Sequence, residues 1–116
     1  MVDKKGVKEE ERPWGQFKEF CKNEKCTVKI LEVNSGEELS LQKHKNRREM
    51  WYFLTEGKVQ IDDNKFKVEE GEKVEIPKGV AHRIIGQKNK TKVLEVSFGN
   101  FDENDEIRLE DKYGRE

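Results

Sequence analysis

Four residues of this chain carry donor atoms from which a metal site can be built. Gln42 and His44 lie two apart on a predicted strand, so their side chains leave the same face. The chain turns through Lys45-Asn46-Arg47-Arg48 and returns at Glu49, which opens the next strand. A later segment, Pro77-Lys78-Gly79-Val80-Ala81-His82, makes a stiff turn into a further strand and brings a second imidazole. The chain has two histidines, and each falls in one of these two segments. Singly, none of the four is diagnostic, because Gln and Glu on strands are usually solvated and a lone His is more often surface or core than ligand. Together their spacing points to one divalent ion held by Gln42, His44, Glu49 and His82. Two imidazoles, an amide oxygen and a carboxylate suit Zn²⁺, Mn²⁺, Fe²⁺, Co²⁺ or Ni²⁺ rather than Cu(I), and the set does not choose among them.

Such convergence needs strands that meet around an interior. Strands are predicted over 15–21, 26–33, 38–44, 49–55, 58–62, 65–69, 73–76, 81–86 and 91–98. Between them stand Asn34-Ser35-Gly36, Glu56-Gly57, Asp62-Asp63-Asn64, Glu70-Gly71 and the Pro77–Gly79 turn. Many short strands without a helix-length amphipathic run predict an all-β sandwich or barrel in one domain. Residues 1–11 are charged and aperiodic and are expected to form a flexible arm, with the domain spanning 12–116. The tail from Asp102 onward is polar, with Ile107, Leu109 and Tyr113 interspersed. It is compatible with a short helix or an ordered loop.

At 116 residues there is room for a single core, and the hydrophobic fraction, 32%, is low beside 42% charged residues. The apolar residues cluster in bursts such as Trp51-Tyr52-Phe53-Leu54, which favours a folded domain over disorder. Acidic and basic residues are intermixed to a net charge of −1, unlike the one-sided basic stripe of a nucleic-acid binder. No stretch approaches the roughly 20 apolar residues of a membrane helix, and the N-terminus lacks an apolar signal segment. No nucleic-acid or membrane partner and a cytoplasmic location are therefore expected. Cys21 and Cys26 flank a four-residue hairpin tip; two reduced thiols or a disulfide are both compatible with that spacing.

The two ligand-bearing segments resemble the paired motifs of the cupins. The first reads Gly36-x5-Gln42-x-His44-x4-Glu49-x7-Gly57, and the second Gly71-x5-Pro77-x-Gly79-x2-His82-x3-Gly86. Gln42 replaces the usual first His, one extra residue precedes Gly57, and Gly86 stands for Asn. A closer resemblance runs along nearly the whole chain. Arg12-Pro13-Trp14-Gly15, Leu39-Ser40-Leu41-Gln42-x-His44, Ile76-Pro77-x-Gly79-x2-His82-Arg83, Glu95-Val96, Gly99 and Asp111-x-Tyr113-Gly114-Arg115 occur in order. This is similar to the type II mannose-6-phosphate isomerase domain, often fused behind a mannose-1-phosphate guanylyltransferase; here the cupin is expected to stand alone. The resemblance implies a double-stranded β-helix, or jelly-roll barrel. The chain departs from that branch at Lys45-Asn46-Arg47, Met50 and Ser97, positions expected in or beside the pocket.

The resemblance implies a metal-dependent aldose–ketose isomerase acting on a sugar phosphate, with mannose 6-phosphate and fructose 6-phosphate as the expected pair. Both histidines being ligands, the proton carrier between C2 and C1 would be a carboxylate, a Lys or metal-bound hydroxide, and Glu95 is the candidate among them. Arg12, Arg83 and Arg115 lie in matching segments and are the candidate phosphate ligands, Arg because its fork binds phosphate oxygens in pairs. A non-catalytic sugar-phosphate-binding cupin and a non-haem metal oxygenase remain open, since two His and a carboxylate also hold Fe(II). If Glu49 faces inward, Trp51 and Phe53 do too, and Leu39, Leu41, Met50, Tyr52 and Leu54 face outward. That face is too apolar to stay wet, so either the N-terminal strand or a second subunit must cover it, and a homodimer is expected.

Overall fold

The computed structural model describes residues 7–114. Eleven strands follow one another: β1 Lys8–Arg12, β2 Gly15–Glu19, β3 Cys26–Val33, β4 Leu41–Lys43, β5 Glu49–Phe53, β6 Gly57–Ile61, β7 Asn64–Val68, β8 Lys73–Ile76, β9 His82–Ile85, β10 Thr91–Phe98 and β11 Ile107–Glu110. One sheet has the order β3-β10-β5-β8 and the other β11-β4-β9-β6-β7, with β1-β2 a separate hairpin. All pairings are antiparallel. The long-range order of both sheets, in which β10 joins β3 to β5 and β9 joins β4 to β6, is that of a jelly roll rather than a meander.

Alternation along β5 sets the interior. Trp51 and Phe53 enter a core completed by Val59, Ile61, Val74, Ile76, Ile84 and Val93. Glu49 shares their face and is itself buried. Burial of this kind is worth roughly 1.5–3 kcal/mol for each large side chain. Among the core contributors, β9 crosses directly between β4 and β6, pairing His82 with Gln42 on one side and with Ile61 on the other.

Three local differences from expectation have physical causes. Predicted strand 38–44 is shorter: Glu38 makes an isolated bridge to Ile85 and regular pairing begins at Leu41. The break turns Leu39 inward, where it packs on the core, instead of outward with Leu41. Gly86 permits this, because a Cβ there would collide with the Glu37 carbonyl that its own N–H bonds. Next, the tail forms β11 on the edge of the second sheet, pairing Arg108 with Gln42. Last, residues 8–11 of the stretch expected as a flexible arm belong, with Arg12, to β1, which is paired to β2 from Lys8↔Glu19 to Arg12↔Gly15.

The outward face of β5 is covered within the chain. Met50 and Tyr52 are buried, and Phe20, just beyond β2, sets its ring edge-on to Tyr52 at 4.9 Å. On the edge strand β3, beyond β10 in the same sheet, Val28 and Ile30 stay open, 54% and 60% exposed.

Candidate metal centre

Glu49 opens β5, His82 opens β9, and His44 follows β4, so three strand ends deliver one side chain each to the same point. The Glu49 Oε1 atom lies 3.5 Å from His44 Nε2 and 3.3 Å from His82 Nε2. One donor atom from each of the three residues lies within 4.8 Å of the others, and all three residues are buried. The turn that delivers His82 is tied to the other ligand segment, since the Gly79 N–H donates to the His44 carbonyl at 2.7 Å. Gly79 has φ +79°, a backbone state that other residues adopt at a cost.

The surroundings decide which atoms face the centre. His44 Nδ1 lies 2.6 Å from the Asp105 carbonyl oxygen and His82 Nδ1 lies 2.8 Å from that of Val80. A carbonyl only accepts, so both Nδ1 atoms carry the proton and both Nε2 atoms point inward. This is the arrangement that orients imidazole ligands to a metal. Glu49 Oε2 is taken: it accepts from Ser97 Oγ at 2.8 Å and from Arg47 Nε at 3.1 Å. Oε1 is buried with no hydrogen-bond partner among the described residues. It is close to the two imidazole nitrogens without bonding either, so three lone-pair donors converge on one spot that asks for positive charge.

The electrostatics agree. Burial alone would push the Glu49 carboxyl up, but the imidazoles of His44 and His82 outweigh it and hold the group well below the usual carboxylate range. Burial opposes charge on His44, yet the Glu49 carboxylate and the Asp105 carbonyl raise its pKa on balance. Protons on the imidazoles and a bound cation are thus alternative sources of the charge that the cluster requires. The donor set and the orphaned oxygen fit a divalent ion. Gln42 lines the same cavity, directly across the ladder from His82.

That cavity is about 640 Å³ and open on one side, within the range of small-molecule sites. Glu95 lines it and is buried, with Trp51 Nε1 donating to its Oε2 at 3.0 Å. Burial, with Glu49 nearby, pushes its carboxyl pKa up, only partly offset by the Trp51 bond and by Lys29 and Arg47.

Two of the three expected phosphate ligands, Arg83 and Arg12, are not brought there. Arg83 follows His82 on β9 and so leaves the opposite face, where it bonds Gln60 at 2.9 Å and Glu110 at 2.6 Å. Arg12 sits in the β1–β2 hairpin, paired with Glu10 and placed over the Phe17 ring. Neither lines the cavity, and Arg115 lies outside the described residues. Among the described residues, the cations that line it are Lys29, Arg47 and Arg108. Arg47, a turn residue by sequence, is buried with its guanidinium over the Phe101 ring and one Nη 3.3 Å from His44 Nε2. Its position two before Glu49 was the available signal. Of the departures noted in the sequence, Ser97 touches Glu49, whereas Met50 leaves β5 on the face away from the cavity. Lys45 and Asn46 are held by their backbone N–H groups on the Asp105 carboxylate.

A jelly roll with buried His, Glu and His donors at the inner ends of its strands defines a cupin. Solved cupin-like folds agree: oxalate decarboxylase from Bacillus subtilis superposes with a TM-score of 0.67 at 26% identity, over 74% of this chain and 24% of that one. The fold also matches WlaRA, a TDP-fucose-3,4-ketoisomerase from Campylobacter jejuni, with a TM-score of 0.73 at 13% identity over 91% and 87% of the two chains. Within the cupins, the chain belongs to the family described as mannose-6-phosphate isomerase C-terminal, whose pattern matches residues 3–111. The mannose-1-phosphate guanylyltransferase ManC of Salmonella typhimurium is 35% identical over 107 residues. That match covers 90% of this chain and 22% of that protein, so the chain spans about a fifth of the curated relative's length.

Proposed function

We propose that this cupin holds one divalent metal ion through His44, Glu49 and His82, with Gln42 as a fourth ligand, and isomerises a sugar phosphate. Mannose 6-phosphate to fructose 6-phosphate is the reaction that the family membership favours. The observation that carries the metal reading is Glu49 Oε1, buried and unbonded between two Nε2 atoms. A bound ion would supply Lewis-acid polarisation of the sugar carbonyl. The chain's own residues supply the rest. Glu95, whose raised pKa brings it nearer to balanced proton exchange, is the proposed carrier of the proton between C2 and C1. Lys29 and Arg108 are the cavity cations proposed for the phosphate, in place of Arg12 and Arg83. The Trp51 indole holds Glu95 in orientation through its N–H.

The test follows deuterium from solvent into C2 of the hexose phosphate by NMR, using metal-loaded protein and its His82→Ala variant. Incorporation that the variant abolishes supports the isomerase. Saturable binding of the sugar phosphate without incorporation identifies a non-catalytic sugar-phosphate-binding cupin instead, and oxygen uptake by the Fe(II)-loaded protein identifies an oxygenase. The proposal extends to a homodimer, now argued from the open edge strand β3, whose Val28 and Ile30 lie exposed beside the shielded Val96.

A further inference from the structure

Cys21 and Cys26 face one another at the junction between the β1–β2 hairpin and the sandwich. Cys21 follows β2, Cys26 is the first residue of β3, and their Sγ atoms are 3.7 Å apart. The intervening loop is held from several sides. The Lys25 carbonyl accepts from the Gly99 N–H at 2.9 Å, and Lys25 Nζ donates to Asn100 Oδ1 at 2.5 Å. Arg48 bonds Glu24 at 2.9 Å, and Asn23 takes the left-handed φ of 55° that closes the turn. Cys26 is fixed by its ladder pairing with Phe98. Both thiols are half-buried, so a small oxidant reaches them.

We propose that Cys21 and Cys26 are a modification site that closes as an intrachain disulfide, using a disulfide oxidant of the glutathione type. One protein thiolate attacks a sulfur of oxidised glutathione, forming a mixed disulfide and expelling one glutathione thiolate. The second protein thiolate attacks the protein sulfur of that mixed disulfide, forms the Cys21–Cys26 bond and expels the second glutathione. Two protein thiols are oxidised by two electrons, one oxidised glutathione is reduced to two thiols, and the two protons end on them. Closure to the ~2 Å of an S–S bond asks for side-chain rotation within a loop whose ends the fold already holds together.

The environment suits a structural bond rather than a reactive thiol. Burial, the Cys26 thiol, Glu24 and Glu19 all push the Cys21 pKa up, the opposite of the activated cysteine in a catalytic dithiol. Two sulfurs without further ligands do not complete a metal site. The bond would tie Phe20, which shields Tyr52 on β5, to the start of β3. It would thereby fasten the hairpin to the sheet that also holds β5, the strand that opens with Glu49.

The test titrates the full chain in buffers of stepped reduced-to-oxidised glutathione ratio, native and in urea. Each sample is quenched by alkylation and weighed by intact mass spectrometry. The expected native product has the mass of a single chain, lighter by two hydrogens, and is protected from alkylation. Half-oxidation is expected at an equilibrium constant at least ~10-fold higher than in urea, and the oxidised form is expected to melt about 5–10 °C higher. Cys21→Ser should carry glutathione on Cys26 instead and show no such rise, and Cys26→Ser should do the converse. Equal constants in native and urea samples, two alkylated thiols in excess oxidised glutathione, or disulfide-linked dimers alone would each overturn the proposal. None of these readouts depends on metal or on isomerase activity.

Discussion

Replacing Ser97 by Ala probes the centre without touching a ligand. Ser97 is 1% exposed, and its hydroxyl is one of two donors holding Glu49 Oε2, at 2.8 Å, the other being Arg47 Nε at 3.1 Å. A hydrogen bond to a charged acceptor is worth about 1.5–3 kcal/mol, and the buried position leaves little room for water to replace it. At 1.4 kcal/mol per decade, that range corresponds to roughly 10–150-fold in affinity if the bond serves to present Oε1 to the ion. Outer groups that orient metal ligands typically contribute 10–100-fold, so two independent estimates overlap. Calorimetric titration of Zn²⁺ or Mn²⁺ into parent and Ser97→Ala protein measures the difference directly. Ser35→Ala, which removes a surface bond to the Lys88 carbonyl, serves as control and should leave affinity unchanged. Ser97→Ala binding metal within twofold of the parent, while Glu49→Gln also binds normally, would refute the assignment of Glu49 as a ligand.

Other expectations follow from the same geometry. His44→Ala or His82→Ala should abolish stoichiometric metal binding, since the chain has two histidines and none can substitute, and elemental analysis after dialysis reads this out. Chelation should stop C2 exchange, and Mn²⁺, Zn²⁺ or Co²⁺ should restore it. A raised Glu95 pKa means that the folded state resists ionising this carboxyl, so its cost is absent at low pH and grows as pH rises through the folded pKa. Glu95→Gln should therefore melt higher than the parent at pH 7 and gain less at pH 4, while losing C2 exchange but keeping metal; a lower melting point at pH 7 would contradict this. Lys29→Met should weaken sugar-phosphate binding by about 10–100-fold, whereas Arg83→Met should leave it near the parent value and cost stability, because Arg83 is buried among Gln60, Glu38 and Glu110. NMR titration and thermal melts separate the two. Ile30→Glu should convert a dimer to monomer by light scattering; a parent that is already monomeric at micromolar concentration would remove the dimer reading.

Much of the centre was legible because strands have a period of two. Gln42, His44 and Glu49 flank one tight turn, and Glu49, Trp51 and Phe53 share a face whatever the partner strands are. Turn chemistry at Asn34–Gly36, Glu70–Gly71 and Pro77–Gly79 placed most strand boundaries, because proline fixes φ and glycine admits the left-handed states that turns use. The same alternation also placed Arg83 opposite His82, so its removal from the cavity needed no structure.

The remainder depended on contacts between residues distant in the chain. Nothing local distinguishes 107–110 as a strand: its apolar pair, Ile107 and Leu109, is short, and its hydrogen bonds go to β4, some sixty residues earlier. Yet that pairing brings Asp105 to His44 and Arg108 to the cavity. Arg47 reads as a surface turn residue until the 101–105 loop folds over it. Leu39 turns inward only because Gly86 lets two backbones approach. Ser97 and Glu49 lie 48 residues apart, and only the β10–β5 ladder sets them opposite. The sequence alone therefore determined the donor types, their faces and the all-β class, since these follow from local backbone geometry. Tertiary structure alone decided which Glu49 oxygen stays free, which cations reach the cavity and which apolar surface remains open, because each is a matter of what long-range pairing brings against it.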